Sequence, residues 1–425
     1  MMLFVLLTFV FSGTCWGLQT KPDIVLIVLD DVGWEDLTPA ETPSIVAYSG
    51  LGRTYTRAYG CPVCSPSRTA MLNGVYPHRD FVGTAINTND VAVGAPTTRP
   101  TVPEVLGCAG YRTALFGKSH VASPALIAES EQARVLGFED WLAGAGGNPS
   151  SHYSWTRVDN GKRSTETTYT NIAVNEAFKT WWMDVGSAQP RYAVVSFMAP
   201  HEPFEAPPAS LLPPGYVTPN TNRGRYEAAL RALDTLLLDM LCVIDLGTTH
   251  VVLVCDNGTA HQVPPPNAQS QGYKLTMFEG GVRTPLCWWG PGITPGVDTS
   301  LVQNVDLPAT LLDVAGVAPH HGFDDSISFA PTLTGGAGAR NYVFLTRFSA
   351  NGGQAAALSI DYWAVLRADG WKLLFHDSAA LSDYELYNLA IDPWENFPIA
   401  PGAQPTITAD LEWVRAQALG PFWPY

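Results

Sequence analysis

Four largely apolar runs recur along this chain, and each stops at a cluster of polar residues. Ile24–Leu29 runs into Asp30-Asp31, and Arg112–Phe116 into Gly117-Lys118-Ser119-His120. Tyr192–Met198 runs into Ala199-Pro200-His201, and His250–Cys255 into Asp256-Asn257. Consecutive apolar positions rich in Val and Ile fit strands covered on both faces, as in parallel sheets packed between helices. Open α/β sheets place their ligands outside the carboxyl ends of such strands. The segments between them read as helices: Val102–Gly110, Thr167–Val185 and Arg225–Leu241. The last carries Ala229, Leu230, Leu233, Leu236, Leu237 and Met240 at helical spacing. The expected fold class is α/β: a large mixed, mostly parallel sheet sandwiched by helices, with carboxylates at its strand tips.

Adjacent acids such as Asp30-Asp31 repel unless a cation holds them, and hard oxygen ligands favour calcium or magnesium. Taken alone, the pair fits a solvated acidic turn equally well. Lys118 and His120 are spaced by two, so on an extended segment both point the same way. His201 sits between prolines, which stiffen its backbone and suit a fixed proton donor. With 24 Lys and Arg against 39 Asp and Glu the net charge is −15, which excludes a general nucleic-acid binder. Positive charge for an anionic ligand must therefore be placed locally.

Between the first two runs lies Cys61-Pro62-Val63-Cys64-Ser65-Pro66-Ser67-Arg68, continuing to Asn73-Gly74. Ser65 suits a helix N-cap, Pro66 the first helical position, and Asn73-Gly74 a left-handed close. Cys64 is then expected just outside a helix N-terminus, where free N–H groups favour an anion, with Arg68 one turn further on. A redox pair or half a zinc site would also fit Cys61-x-x-Cys64, but no second pair with zinc spacing follows.

Cys64-Ser65-Pro66-Ser67-Arg68 followed by Thr69-Ala70-Met71-Leu72-Asn73-Gly74 resembles the signature of the type I sulfatases, the arylsulfatase family of the alkaline phosphatase superfamily. Further blocks that resemble this family follow in order: Asp30-Asp31 before the signature, then Gly117-Lys118-Ser119-His120, Pro200-His201-Glu202-Pro203 and Asp256-Asn257-Gly258 after it. Lys274 with Glu279-Gly280-Gly281, and the tail Glu385–Leu389 with Asp392–Asn396, complete the set. The chain departs at Tyr273-Lys274-Leu275, where Gly-Lys-Gly is common in relatives. The resemblance implies that Cys64 is oxidised to formylglycine by a formylglycine-generating enzyme, its aldehyde hydrate being the nucleophile. It implies a calcium ion, with magnesium as the substitute, held by Asp30, Asp31, Asp256, Asn257 and an oxygen of modified Cys64. It further implies that Arg68, Lys118 and Lys274 bind the sulfate. His120 would contact the formylglycine hydroxyl, and His201 would protonate the leaving alcohol.

Met1–Gly17 is apolar and uncharged and ends in a small residue, as a cleaved secretory signal does. It is too short for a membrane span, and no later run is long enough. Secretion or residence in a secretory-pathway lumen is expected: periplasm in a bacterium, lysosome or exterior in a eukaryote. Seven cysteines are present. Without Cys15 and a converted Cys64 an odd number remains, so buried free thiols with at most one or two bridges are expected. Asn257-Gly258-Thr259 matches a glycosylation sequon, but a buried metal ligand could not be modified.

Gly335–Arg340 is small and flexible in composition, a domain boundary by its sequence. The expected organisation is a signal over 1–17, a catalytic domain over 18–335 and a C-terminal α+β subdomain over 336–425, a small antiparallel sheet from the strand-like runs Tyr342–Phe348, Trp363–Arg367 and Trp371–Phe375 with one terminal helix over Ala409–Leu419. The function read from the sequence is hydrolysis of aryl or carbohydrate sulfate esters. The substrate would be set by rim segments Phe81–Pro100, Gly144–Thr167 and Pro207–Pro219. The alternatives are a phosphonate or phosphate ester hydrolase of the same superfamily, and a catalytically silent binder of sulfated glycans with an unconverted Cys64.

Overall fold

The computed structural model describes residues 21–87, 89–185, 188–318, 321–349, 351–352, 360, 362–376 and 384–420. The signal-like stretch Met1–Gly17, with Cys15, lies outside them. The first strands in the chain are β1 (Asp23–Leu29), β2 (Arg53–Tyr55), β3 (Ala58–Tyr59), β4 (Arg112–Lys118) and β5 (Asp140–Ala145). Then come β6 (Trp155–Asp159), β7 (Lys162–Glu166), β8 (Arg191–Ser196), β9 (Thr249–Cys255), β10 (Leu286–Trp289), β11 (Gly296–Asp298) and β12 (Val302–Gln303). All but β3 and β12, which pair with each other, form one ten-stranded sheet ordered β11-β2-β10-β9-β1-β8-β4-β5-β6-β7. Its centre, β9-β1-β8-β4-β5, is parallel throughout. β10 runs antiparallel beside β9, and a β6–β7 hairpin closes the other edge.

The continuous apolar runs have the predicted cause. Alternate residues of β1 enter opposite cores. Ile24, Leu26 and Val28 pack with Met71 and Leu72 of α2 (Cys64–Asn73), which follows α1 (Pro43–Ser49). The same core takes Val105 and Leu106 of α3 (Val102–Cys108) and Ala133 of α4 (Gln132–Val135). Val25, Ile27 and Leu29 pack with Phe178 and Trp181 of α5 (Thr170–Val185) and Leu230, Leu233 and Leu237 of α6 (Asn222–Leu241). Local signals mark the helix starts: Thr101 and Glu104 form a capping box at α3, and Thr221 Oγ1 accepts from Gly224 N–H at α6.

After α7 (Glu279–Val282), α8 (Leu307–Val314) and α9 (Ala330–Leu333) comes an antiparallel meander. Its strands are β13 (Tyr342–Arg347), β14 (Tyr362–Arg367), β15 (Trp371–Phe375) and β16 (Tyr384–Asn388). One face packs on Leu411 and Val414 of α10 (Pro405–Leu419). The other meets Tyr59, Met277, Val282 and Leu301 of the main body. Among the described residues no helix is long and apolar enough to cross a membrane.

Four expectations need correction. The N-cap of α2 is the extended Val63, not Ser65, so Cys64 is the first helical residue rather than the residue before it. Ser65 Oγ instead accepts from Ile86 N–H at 3.0 Å. The extended segment stops at Lys118, and His120 is left-handed (φ 54°), so spacing by two does not orient the pair. Gly144–Thr167 is a rim segment only to Ser154; the rest is mostly the hairpin. The six cysteines described are all free, and Cys108 and Cys242 are exposed rather than buried.

Candidate active site

The carboxyl ends of β1, β8, β4 and β9 meet at one edge of the sheet, and Arg68 joins them. All ten residues of α2 are buried, and no side chain caps its first N–H groups. Arg68 reaches out from the second turn. Its Nε donates to Asp256 Oδ2 (2.8 Å), its Nη1 to Ser196 Oγ (2.6 Å) and to the Lys118 carbonyl (3.3 Å). Asp30 Oδ2 lies 3.6 Å from Nη2. Gly117 makes the Lys118 position possible. It has φ 82°, and a Cβ there would lie 2.0 Å from the Ser196 carbonyl oxygen. The bulge between Phe116 and Lys118 forms at this residue.

Asp30, Asp31, Asp256 and Asn257 come together as expected, all buried. Asn257 Nδ2 donates to Asp31 Oδ1 (2.7 Å), which turns its own oxygen away from that contact. Asn257 Oδ1 and Asp30 Oδ1 are buried and have no hydrogen-bond partner among the described residues. Buried oxygens left unpaired are costly unless something else satisfies them. A carboxylate oxygen of Asp30 and of Asp256 and the Cys64 sulfur lie within 4.8 Å of one another. The three aspartates and Asn257 offer hard oxygen atoms and fit calcium or magnesium better than zinc. Burial, and then the charge of Asp30, push the Asp256 carboxyl up to about 6 despite Arg68.

The lysines and histidines complete the cluster. Lys118 Nζ donates to Asp30 Oδ2 (2.5 Å) and Lys274 Nζ to Asp31 Oδ1 (2.7 Å). Burial opposes ionisation of Asp30, but the cations around it, Lys118 first and then Arg68 and Lys274, outweigh it and hold its pKa well below the carboxylate range. His201 Nδ1 lies 2.8 Å from the Glu202 carbonyl and Nε2 3.2 Å from Lys274 Nζ. A carbonyl only accepts and an ammonium only donates, so this histidine is neutral with its proton on Nδ1. Burial, with a smaller share from Lys274, lowers its pKa and agrees with that state. His120 Nε2 faces the Ile86 carbonyl at 2.8 Å, so it carries the proton there. Its Nδ1 is buried and has no partner among the described residues. Burial and the Lys118 charge hold His120 well below its usual pKa. Burial also raises the Cys64 thiol, so as a thiol it is a weak nucleophile.

The sulfatase family model matches residues 22–317, which is most of the chain. The chain belongs to the sulfatase family. It is 28% identical over 368 residues to the N-acetylgalactosamine-6-sulfatase of Canis lupus familiaris, covering 75% of this chain and 67% of that protein. It is 26% identical over 466 residues to the choline-sulfatase of Rhizobium meliloti (strain 1021), covering 92% and 85%. In fold it is similar to Ps i-CgsB, solved in complex with k-i-k-neocarrahexaose, with TM-score 0.79, 21% identity and 95% of each chain covered. It is also similar to the PsFucS1 sulfatase from Pseudoalteromonas sp., with TM-score 0.74, 20% identity and 93% and 89% covered. The protein is thus a sulfuric ester hydrolase with the alkaline phosphatase-like architecture.

Several residues that support the site of this sulfatase were not singled out from the sequence. His152 Nε2 donates to the His201 carbonyl (2.9 Å), and Thr170 Oγ1 bonds its Nδ1 (2.9 Å). Asn171 holds the same loop, accepting from the Met198 and Ala199 N–H groups (3.1 Å each). Asp36 takes bonds from Gly33 N–H, Tyr226 and Thr259, and so ties the Asp30 turn to the Asp256 turn. A lone His, Asn or Asp in a loop carries no signal of such partners. Their hydrogen bonds reach across the fold.

Proposed function

We propose that this sulfatase hydrolyses sulfate esters of carbohydrates, using a nucleophile made from Cys64 and a calcium ion held by Asp30, Asp31, Asp256 and Asn257. The observation that carries the reading is the pair of unpartnered buried oxygens, Asp30 Oδ1 and Asn257 Oδ1, beside Cys64 at an uncapped helix end. Asp30, Asp31 and Asp256 face Arg68, Lys118 and Lys274, three negative charges against three positive. A divalent cation would leave an excess of +2 to receive an anionic sulfate. Formylglycine at position 64 would supply the attacking oxygen, and calcium would polarise a sulfate oxygen.

The chain's own groups do the rest. Lys118 and Lys274 hold sulfate oxygens, and Arg68 fixes Asp256 and the strand tips. His120 Nδ1, bare and buried, is the proton acceptor on the nucleophile's side. Lys274 Nζ donates to His201 Nε2, and an ammonium proton of Lys274 passes over that Nε2 to the alcohol oxygen as its bond to sulfur breaks, leaving the lysine neutral. The names of the relatives, one acting on N-acetylgalactosamine-6-sulfate units and one on choline sulfate, support a small sulfated organic substrate. The saccharide is preferred because a similar fold holds a neocarrahexaose. The Met1–Gly17 stretch supports work outside the cytosol.

The test is a panel of sugar sulfates, aryl sulfates, phosphate esters and phosphonates on enzyme made with a formylglycine-generating enzyme, with and without chelator. Sulfate esters should be turned over, chelation should abolish the activity, and calcium or magnesium should restore it. Preference for phosphate or phosphonate esters, or two tightly bound zinc ions per chain, would overturn the reading.

A further inference from the structure

β5 ends one strand away from β4, on the same edge of the sheet as the catalytic tips. Beyond its last residue, Ala145, opens a groove of about 370 Å³ between Gly146–Ser150 and the β6–β7 hairpin. Strand spacing of roughly 4.8 Å puts the groove next to Lys118 and His120 and about 14 Å from β1. Two tethers join it to the catalytic histidines. His120 N–H donates to the Gly146 carbonyl (3.0 Å), and a Cβ on Gly147 would lie 3.6 Å from His120 Cδ2. At the other lip, Ser151 Oγ and His152 N–H bond Glu205, and His152 holds the His201 carbonyl.

The lining has a definite chemistry. Asn148, Ser150, Ser154, Thr156 and Thr165 bring exposed amide and hydroxyl groups that both donate and accept. No lysine or arginine lines the groove. Its one charge, Glu129, is occupied by Gly146 N–H (3.2 Å) and Arg163 (2.8 Å). A second sulfate or a uronate would find no uncommitted cation among the described lining residues, because Arg163 at the rim is already paired with Glu129. A hydroxyl-rich ring without charge finds matched partners.

We propose that this groove is a subsite for an uncharged sugar unit attached to the sulfated one, so the natural substrate is an oligosaccharide in which a sulfated residue neighbours an unsulfated neutral residue. The inference rests on the sulfatase reading above and specifies its substrate.

The experiment compares kcat and KM for three kinds of sulfate ester: an aryl sulfate, a sulfated monosaccharide, and disaccharides in which that unit is linked on either side to a neutral or an anionic sugar. The converted wild-type enzyme is tested beside Asn148→Ala and the double variant Ser154→Ala/Thr156→Ala, all exposed positions. Wild type should favour one neutral-linked disaccharide over the monosaccharide through KM, by about tenfold, the size expected for two hydrogen bonds. The variants should lose that preference and keep the aryl sulfate rate, which also shows that they fold. The anionic-linked disaccharide should gain nothing. Equal KM for monosaccharide and both disaccharides, or variants that keep the full preference, would overturn the subsite. Failure of every sulfate ester with converted enzyme would instead overturn the sulfatase reading itself.

Discussion

At the scale of single residues, the two histidines of the site differ in the partners that fix their tautomers. His120 is pinned by the Ile86 carbonyl with Nδ1 left bare, while His201 is pinned by Glu202 with Nε2 turned to Lys274. If the His201–Lys274 pair supplies the leaving-group proton, His201→Ala should slow sugar sulfates by about 10²-fold or more but aryl sulfates far less, because an aryl oxide leaves with little help. His120→Ala should slow all leaving groups alike. A leaving-group series on the two variants checks this, and the same factor for both variants across the series would refute the division. The identities of these residues could be read in the sequence from short blocks. Their tautomers could not, because the Ile86 carbonyl that fixes His120 lies 34 residues away.

At the scale of elements, the runs that end in acids were legible because burial on both faces forces apolar residues at consecutive positions. The start of α2 was misplaced by two residues because proline is tolerated throughout a first turn, where N–H groups lack intrahelical partners anyway. Hidden from the sequence was the support of the Lys274 loop. Lys372 of β15 is fully buried between Glu279 (2.9 Å) and Glu395 (2.7 Å). Glu395 also accepts from Glu279 N–H (2.6 Å), and its carbonyl accepts from Gln271 Nε2, three residues before Lys274. Removing one member of a buried ion pair strands the other, at about 3–5 kcal/mol. Lys372→Met should therefore cost about that much in urea unfolding, and in the folded fraction it should lower turnover through a displaced Lys274. Unchanged stability would show that the C-terminal sheet does not hold this loop.

At the scale of the whole molecule, an acidic chain of net −15 still gathers three cations, Arg68, Lys118 and Lys274, at one set of strand tips. The C-terminal sheet closes over the main body at a second buried contact, where His78 packs against the rings of both Tyr76 and Phe344. Burial and then Arg79 push the His78 pKa down to about 3. The unfolded chain takes up a proton below its ordinary pKa of about 6.5 that the folded chain refuses, so stability present at pH 7 is lost as pH falls, by about 1.4 kcal/mol per unit. His78→Phe keeps the ring contacts and should flatten the change in stability between pH 7 and pH 5 by about 2 kcal/mol. An unaltered pH dependence would remove His78 from that account. The sheet and its helix were legible from short strand-like runs and the tail block. This contact was not, since nothing local marks a histidine as buried. The central claim concerns Cys64, which is buried at the head of a buried helix and holds its thiol protonated. Preparations with graded formylglycine content at position 64, measured by peptide mass spectrometry, should show sulfatase activity in proportion to that content and none in Cys64→Ala. Full activity in a preparation whose Cys64 is an intact thiol would contradict it.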